Sequence, residues 1–360
     1  VHIETVETSY DHTCAIDSEG RVWCWGRNNY GQLGIDDYGN RDQPELVNLS
    51  VNETIVDVAL GYYFTCAISA SARLFCWGYG QSSQADTLPN SNYYYSPVEA
   101  ELPSYITPVN ITAEYQTACL LSSDGAVYCW GSNGYGQLGD GTTEESGIVQ
   151  ALLPSNDPAI AVETGGHHTC ALLQSGTMKC WGYNSYAQLG FKTNSPNPVN
   201  YPVTVQDLPL EPILITLGHH YTCAVLKNHQ MKCWGTGGSG QLGYGSTASW
   251  TAQQPDHRDV IYSNSGQNVP LSVSSGTSSN CMITNQGRID CWGANSNGMW
   301  GHGSTSAPNN PTTNALLTIG ESTQSLRFDE GKPLTKSPIL NGMNVTVAIQ
   351  PALPSGFTVD

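Results

Sequence analysis

The residues in this sequence with the clearest capacity for chemistry are its 12 cysteines, which form six pairs of identical spacing. The two members of each pair stand ten positions apart, and Trp-Gly follows the second. The pairs are Cys14 with Cys24, Cys66 with Cys76, Cys119 with Cys129, Cys170 with Cys180, Cys223 with Cys233, and Cys281 with Cys291. Zinc knuckles and redox motifs hold two cysteines about two to four positions apart, and the sequence contains no such pairing. Six local disulfides are therefore expected, with free buried thiols as the alternative.

Hairpins are the elements that would bring these cysteines together. The stretch Asp17-Ser18-Glu19-Gly20 lies between Cys14 and Cys24, and its glycine suits the positive backbone angle of a tight turn. Similar turn sequences stand at 122–125, 173–176 and 284–287. Counting outward from such a turn places the cysteines opposite each other on antiparallel strands, within disulfide reach. Disulfides at this density predict an oxidising compartment, so the protein is expected to be secreted or to lie on the extracellular surface.

The cysteine pairs belong to a longer repeated unit. Successive first cysteines are 52, 53, 51, 53 and 58 residues apart, so six copies of one unit make up most of the chain. Gly-Gln-Leu-Gly closes the unit at 31–34, 136–139 and 240–243, with variants at 187–190 and 298–301. Only 12% of the residues are charged, and 38 are glycine, which is typical of an all-β protein of strands and turns.

One complete unit, residues 166–190, reads GHHTCALLQSGTMKCWGYNSYAQLG. This string resembles the repeat of the regulator of chromosome condensation family. The resemblance covers about residues 1–318 and implies a β-propeller of four-stranded blades, commonly seven in that family. The six repeats of this chain favour six blades, and a seventh blade, degenerate or supplied from outside, is the alternative. The cysteine pairs resemble those of secreted, disulfide-bearing relatives, so the exchange-factor role of the nuclear member is not expected here.

The C-terminal part of the chain differs from the repeats. Residues 314–322 (NALLTIGES) look like the start of another copy without cysteines, and we expect this strand to complete the ring. Residues 319–360 contain no Cys or Trp, and their ending, PALPSGFTVD, resembles the beginning of an immunoglobulin-like sandwich repeat. The sequence therefore predicts a propeller over 1–318 and, over 319–360, a linker with the start of a sandwich domain that continues beyond Asp360.

Charge and motif content exclude several functions. The formal net charge is −17 and there is no basic run, which disfavours nucleic acid and anionic membranes as partners. No apolar stretch approaches the roughly 20 residues of a membrane span. No hydrolase, metalloprotease, phosphate-binding or calcium-loop motif is present, so neither catalysis nor a metal or other cofactor is expected. The histidines before the first cysteines, at 12, 167–168 and 219–220, are interpreted as hydrogen-bonded residues at strand ends.

Six tryptophans occupy the same position in the unit, directly after the second cysteine. They could form a sugar-binding ring, but an identical position in every repeat favours packing between blades. Four sequons agree with an extracellular location, and their acceptors are Asn48, Asn52, Asn110 and Asn344.

Interface candidates are sought where repeats deviate from one another. Tyr93, Tyr94 and Tyr95 are consecutive in a predicted Pro/Asn-rich loop after repeat 2, and Trp250 lies outside the regular tryptophan position. Adjacent aromatic residues in a loop cannot all face one core, which favours contact with a partner.

The sequence thus favours an extracellular structural or protein-interaction module. We expect it to be a rigid subunit of a surface or filament assembly such as a flagellar hair, whose partners are other extracellular subunits, including copies of itself. The alternative is a secreted propeller that captures a ligand or glycan, as an inhibitor does. A non-catalytic domain of an extracellular enzyme ranks third.

Overall fold

The computed structural model describes residues 2–49, 53–80, 93–191, 198–247, 258–260, 269–285 and 288–295, and the backbone of 312–320 and 346–347. Within these ranges the chain forms six antiparallel sheets, one from each repeat. Each sheet has four strands in sequence order, and a fifth short strand extends the last sheet. The predicted all-β propeller of six blades is confirmed. Among these described residues, none forms a helix long and apolar enough to cross a membrane.

The strands are numbered in chain order. Blades 1 and 2 contain β1 (Ile3–Thr8), β2 (His12–Asp17), β3 (Val22–Gly26), β4 (Arg41–Leu46), β5 (Ile55–Leu60), β6 (Phe64–Ser69), β7 (Leu74–Tyr79) and β8 (Tyr93–Ala100). Blades 3 and 4 contain β9 (Pro108–Glu114), β10 (Thr117–Ser122), β11 (Val127–Gly131), β12 (Ser146–Gln150), β13 (Ala159–Thr164), β14 (His168–Leu173), β15 (Met178–Gly182) and β16 (Val199–Thr204). Blades 5 and 6 contain β17 (Pro212–Leu217), β18 (Tyr221–Leu226), β19 (Met231–Gly235), β20 (Arg258–Asp259), β21 (Pro270–Ser275), β22 (Ser279–Thr284), β23 (Arg288–Gly293), β24 (Thr312–Gly320) and β25 (Thr346–Val347).

The first strand of each blade lies toward the axis of the propeller. Contacts join β1 to β5, β5 to β9, β9 to β13, β13 to β17 and β17 to β21. The fourth strands are more exposed, as in β4, where no residue is fully buried, while all of β6, β10, β14, β18 and β22 is buried. The apolar core therefore lies between neighbouring blades, centred on their second and third strands.

Each blade carries the disulfide that the cysteine spacing predicts. In every blade the two cysteines face each other in register across the second and third strands. All six bonds are present, with Cα–Cα distances of 4.0 to 4.1 Å. They join Cys14 to Cys24, Cys66 to Cys76, Cys119 to Cys129, Cys170 to Cys180, Cys223 to Cys233, and Cys281 to Cys291. The alternative of free buried thiols is therefore wrong, since no cysteine is left unpaired.

The short loop inside each bridge is a hairpin turn. Gly20 closes the first hairpin with a φ of 74°, which its lack of a Cβ permits. A bridge over so short a loop contributes about 2–3 kcal/mol in the chain-entropy model. Because the hairpin is already local, the bridge also serves to hold its register.

The repeated tryptophan joins one blade to the blade before it. Trp181 is fully buried, and its Nε1–H donates to the backbone carbonyl of Gln137 at 2.8 Å. The Thr169 hydroxyl donates to the same carbonyl, also at 2.8 Å. Equivalent indole bonds run from Trp77 to Gln32, from Trp234 to Gln188 and from Trp292 to Gln241. The Gln of Gly-Gln-Leu-Gly is therefore the residue whose carbonyl connects the blades.

Burial confirms the packing interpretation for five of the six tryptophans. Trp77, Trp130, Trp181, Trp234 and Trp292 are all fully buried, so their ring faces cannot stack on a sugar. Trp25 occupies the same position in blade 1 but remains partly exposed. Of the six tryptophans at this position, only Trp25 is therefore in contact with solvent.

The C-terminal strand corrects one expectation. The prediction that residues 314–322 begin another copy is wrong, because Thr312–Gly320 is the fourth strand of blade 6. Cys291 pairs with Thr312, and Arg288 with Thr318, in the β23–β24 ladder. The apolar run of residues 314–322 was misleading because first and fourth strands can both be apolar. The cysteines mark only the second and third strands of a repeat, so they do not distinguish these two cases. The division at 318/319 and the sandwich domain stay predictions.

Candidate interaction face

Two sets of loops share one end of the propeller. Successive strands of a blade run in opposite directions, so the loop between the first and second strands and the loop between the third and fourth open on the same side. The hairpins between paired cysteines open on the other side. We call the first side the aromatic face, because tyrosine and histidine rings occupy both sets of its loops.

The central opening of the propeller on this face, which we call the mouth, is surrounded by residues from equivalent positions of the repeats. Each of them stands four residues before the first cysteine of its repeat. In repeats 1 to 6 they are Tyr10, Tyr62, Tyr115, Gly166, His219 and Thr277. Five of these six, together with Ser9 and Glu114, line a cavity of about 180 Å³. These equivalent residues differ from repeat to repeat. The side chains around the mouth are therefore not determined by the residues that all six repeats share.

Tyrosine rings from blades 1 and 2 form a continuous band on the aromatic face. Tyr10 stacks on Tyr62 at a centroid distance of 4.8 Å, and Tyr62 contacts the adjacent Tyr63 at 4.2 Å. Tyr63 in turn lies 4.4 Å from Tyr30, and Tyr30 lies 6.0 Å from Tyr93. Such pairs contribute about 0.5–1.5 kcal/mol each beyond burial of their area, so the band is a rigid surface.

A second group of rings covers blades 3 to 5. His167 lies 5.0 Å from Tyr115, 5.1 Å from Tyr135 and 5.3 Å from His219, measured between ring centroids. The Tyr62–Tyr115 contact, at 5.6 Å, joins this group to the band of blades 1 and 2. The aromatic surface therefore extends from blade 1 to blade 5 around the mouth.

Three ring residues of this face, His167, His220 and Tyr62, are neutral at neutral pH. Burial, followed by the neighbouring His219, lowers the pKa of His167 from 6.5 to about 4. The same causes, with His167 added, lower the pKa of His220 to about 3. Burial and a hydrogen bond with Tyr63 raise the pKa of Tyr62 well above its usual value of 10. These side chains therefore offer aromatic surface and hydrogen-bonding atoms without adding charge.

The histidines before the cysteines serve two different purposes. His12 and His168 are buried, and each ring Nε2 lies 2.9 Å from a threonine hydroxyl of the next blade, on Thr65 and Thr222 respectively. They match the expected hydrogen-bonded residues at strand ends. His167 and His220, each one residue farther from its cysteine, instead contact the rings of the aromatic face.

The three consecutive tyrosines of repeat 2 lie at the edge of this face. The prediction that they form a loop is wrong, because Tyr93 begins β8, where Tyr94 pairs with Gly78 and Tyr93 with Tyr79. Alternation along the strand exposes Tyr93 by 39% and Tyr95 by 38%, while Tyr94 packs against the core. Their interface role stays a prediction, and Trp250 lies outside the described residues.

Two of the four sequon asparagines are described, and they differ in environment. Asn48 is exposed, and its side chain contacts Asp36. Asn110 is half-buried, and its amide nitrogen donates to Asp57 of the preceding blade at 2.9 Å. Asn52 and Asn344 lie outside the described residues. Glycosylation at all four positions stays a prediction.

No group of three histidine, cysteine or carboxylate side chains could hold a metal ion in the part of the chain that the structure describes. The chemistry that the aromatic face offers is ring stacking, hydrogen bonding and contact with cations. These are properties of a binding surface.

Comparison with known proteins identifies the scaffold. The profile of the RCC1-like domain matches residues 1–269, and that of the regulator of chromosome condensation (RCC1) repeat matches residues 271–298. The chain belongs to the RCC1-like family. This RCC1-like chain is similar in fold to human WBSCR16, with a TM-score of 0.79 and 20% identity over 95% of this chain and 86% of the other. Yeast RCC1 (Prp20), in a crystal structure with Kap60, gives a TM-score of 0.78 and 17% identity over 97% and 81%.

Sequence relatives of this RCC1-like chain are larger proteins. The ultraviolet-B receptor UVR8 of Arabidopsis thaliana is 29% identical over 258 residues, which cover 69% of this chain and 56% of the receptor. The human probable E3 ubiquitin-protein ligase HERC4 is 31% identical over 305 residues, which cover 84% of this chain and 28% of the ligase. The chain thus spans about half the length of the first relative and less of the second.

Sequence reasoning missed most of the aromatic face of this RCC1-like chain. It selected Tyr93 to Tyr95 because they are adjacent in the sequence. The other tyrosines and histidines of the face are distributed over the repeats and are far apart in the sequence. Aligning the repeats on their first cysteines would have shown tyrosine or histidine three or four positions earlier in five of the six repeats. That column of variable aromatic residues was the available signal.

Proposed function

We propose that this RCC1-like propeller is an extracellular protein-interaction module that binds its partner through the aromatic face. The observation that carries the proposal is the set of exposed tyrosines on that face. They come from four blades and lie close enough for one partner to cover several of them: Tyr10, Tyr38, Tyr93, Tyr95, Tyr135 and Tyr186.

Tyrosine is well suited to this use. Its ring gives a large contact area with few rotatable bonds, and its hydroxyl keeps the free surface soluble. Rings that already pack on one another, as Tyr93 does on Tyr30, lose little conformational entropy when a partner binds. Yeast RCC1, of the same fold, was crystallised with a protein, Kap60, which supports protein binding as a use of this scaffold.

The extracellular setting is supported by the cysteines. All 12 are paired, and each pair is buried in its blade. A reducing compartment would keep such thiols free, whereas disulfides persist outside the cell. We therefore infer a secreted or surface location, and a role as a rigid subunit in a larger extracellular assembly that includes copies of itself or other subunits.

Site-specific cross-linking on intact cells tests the proposal. A benzoylphenylalanine replaces Tyr95, which is 38% exposed on the aromatic face, and, as the matched control, Tyr201, which is 55% exposed on the outer strand β16. We expect a cross-linked protein species at Tyr95 and none at Tyr201. Equal cross-linking at both positions, or at Tyr201 alone, would contradict an interface on the aromatic face.

The location is tested separately with the native protein. A peptide map without reducing agent should show all six bridges intact, and externally added protease should reach the protein on intact cells. Free thiols at all of these cysteines in freshly isolated material would reject the extracellular setting while leaving the binding face open to test.

A further inference from the structure

The outer strand of blade 3, β12, is a sheet edge with no described strand beyond it. β12 pairs with β11 on its inner side and is the last strand of its sheet, and none of its residues is fully buried. The N–H of Ala151, just after the strand, donates inward to the Val127 carbonyl of β11 at 3.0 Å. Because the bonding direction alternates along an antiparallel strand, the backbone N–H and C=O of Gln150 point outward, away from β11. β12 therefore presents hydrogen-bonding backbone groups at the outer surface of the propeller.

The other outer strands carry features that oppose pairing with another chain. A proline interrupts β4, β8 and β16, in each case one position before the residue that pairs with the second cysteine: Pro44, Pro97 and Pro202. Proline has no N–H to donate, so it interrupts the hydrogen bonds that a further strand would need. As described, β20 is two residues long, and β25 already pairs with the end of β24. Prolines, short strands and covering segments are the devices by which proteins prevent edge-to-edge association.

The described residues of β12, Ser146–Gln150, contain none of these devices. Ile148 occupies the position of the three prolines, because the next residue, Val149, pairs with Cys129. The strand reads SGIVQ and has no charged residue, whereas β4 reads RDQPEL and has three. Its register with the third strand contains one extra residue, whereas those of β4, β8 and β16 contain two. β12 is therefore the outer edge best suited to pair with another strand.

The sequence of β12 suits pairing with a second copy of itself. In an antiparallel pair centred on Ile148, Ser146 of one copy faces Gln150 of the other. Gly147 in turn faces Val149, so a small residue meets a larger one at each of these places. Cross-strand neighbours of this kind decide the stability of a sheet, and none of these pairs brings like charges together.

The acidic residues beside β12 do not oppose this arrangement. Glu144 and Glu145 precede the strand, and in the two-fold pair they face Leu152 and Ala151 of the other copy. Leu152 is 59% exposed, so it adds an apolar contact at each end. The Glu145 residues of the two copies stand six strand positions apart, about 20 Å, which exceeds the Debye length at physiological salt.

We propose that β12 pairs with β12 of a second copy of this chain, antiparallel and about a two-fold axis, so that the two four-stranded sheets become one. The inference rests on the proposed function, a subunit that assembles with copies of itself, and it locates where two copies meet. The contact lies at the outer edge of blade 3, whereas the first strands surround the axis. The mouth of the aromatic face therefore stays free for another partner.

Sedimentation equilibrium of the purified chain with intact disulfides is the direct test. A single strand pair buries little surface, so we expect a weak monomer–dimer equilibrium with a Kd of about 0.1 mM. Salt should strengthen it, because salt screens the repulsion between two copies that each carry a net charge of −17. A chain that stays monomeric at roughly ten times that concentration would overturn the inference.

Paired charges test the register. Ser146→Glu with Gln150→Glu places carboxylates opposite carboxylates in the two-fold pair, and Ser146→Lys with Gln150→Lys places ammonium groups opposite ammonium groups. Each double variant alone should associate at least about tenfold more weakly than the unchanged chain, because like charges then lie directly opposite each other. An equal mixture of the two should recover a dimer that contains one copy of each.

A proline variant and a matched control locate the edge. Ile148→Pro gives β12 the residue that three sister strands already carry at this position, so the blade should tolerate it while self-association is lost. Leu46→Glu is the control, because Leu46 is exposed on β4 and pairs with Trp23 as Gln150 pairs with Tyr128. It should dimerise like the unchanged chain. Intact disulfides and an unchanged circular dichroism spectrum confirm folding of each variant.

The outcomes separate this inference from the proposed function. A dimer that persists in Ile148→Pro and in both charged variants would place the contact elsewhere and overturn the inference. Loss of association in both charged variants without recovery in their mixture would overturn the two-fold pairing. A monomeric chain that still cross-links a partner at Tyr95 rejects β12 pairing alone. A β12 dimer with equal cross-linking at Tyr95 and Tyr201 instead rejects the aromatic face as the interface.

Discussion

Replacing Trp181 with phenylalanine tests the physical account of how the blades are held together. The indole is fully buried between blades 3 and 4, and its Nε1–H donates to the Gln137 carbonyl at 2.8 Å. Phenylalanine keeps an aromatic ring in the same place but lacks the donor and is smaller. The change therefore removes one buried hydrogen bond and leaves a void at the blade interface.

The expected loss of unfolding free energy follows from those two effects. The hydrogen bond contributes about 1 kcal/mol, and the penalty is not larger because the Thr169 hydroxyl still donates to the same carbonyl. The lost ring atoms and their cavity add about 1–2 kcal/mol. Collapse is limited because Gly139 already packs so closely that a Cβ there would lie 2.6 Å from the indole nitrogen. The total is about 2–3 kcal/mol.

Trp25→Phe is the matched control, because Trp25 has the same position in blade 1 but is partly exposed. We expect it to lose less than about 1 kcal/mol, since water fills the space and bonds to nearby groups. Urea unfolding with intact disulfides, followed by far-ultraviolet circular dichroism, gives the midpoints and slopes for both variants. Equal losses in Trp181→Phe and Trp25→Phe would refute the role assigned to the buried indole and its carbonyl.

Three further predictions concern acid stability, backbone conformation and glycosylation. Burial lowers the pKa of His12 from 6.5 to about 3. Between these two pH values His12 is protonated in the unfolded chain but not in the folded chain, so the unfolding free energy should fall as pH decreases from about 6.5 toward 3. His12→Phe should flatten this decline in urea midpoints, and parallel curves would contradict it. Gly139→Ala places a side chain against the indole at a φ of 73° and should lower the unfolding free energy in urea by about 2–4 kcal/mol, whereas no change would contradict the close packing. Glycopeptide mapping should find glycan on the exposed Asn48 more often than on Asn110, whose amide nitrogen is bonded to Asp57, and the reverse order would contradict this.

Much of the fold could be predicted because its signals are local. The cysteines of a pair are ten residues apart with a turn between them, so their pairing depends on one hairpin, as Cys14 and Cys24 show. Repetition of that hairpin then indicates the propeller. The fourth strands were harder to predict, because their link to the third strand varies in length and composition between repeats, and Tyr93 and residues 312–320 were misassigned for that reason.

The sequence by itself determined the repeating unit, the six disulfides and the position of each buried tryptophan, because all of these depend on contacts within one hairpin or on a residue type repeated at a fixed spacing. Only the tertiary structure decided which variable residues meet. Closing the blades around one axis brings Tyr10, Tyr62 and Glu114 to a single cavity, although the last two are 52 residues apart in the chain. Positions that are unremarkable within each repeat become neighbours because the propeller places equivalent loops side by side. The candidate interaction face is therefore a property of the ring rather than of any one repeat.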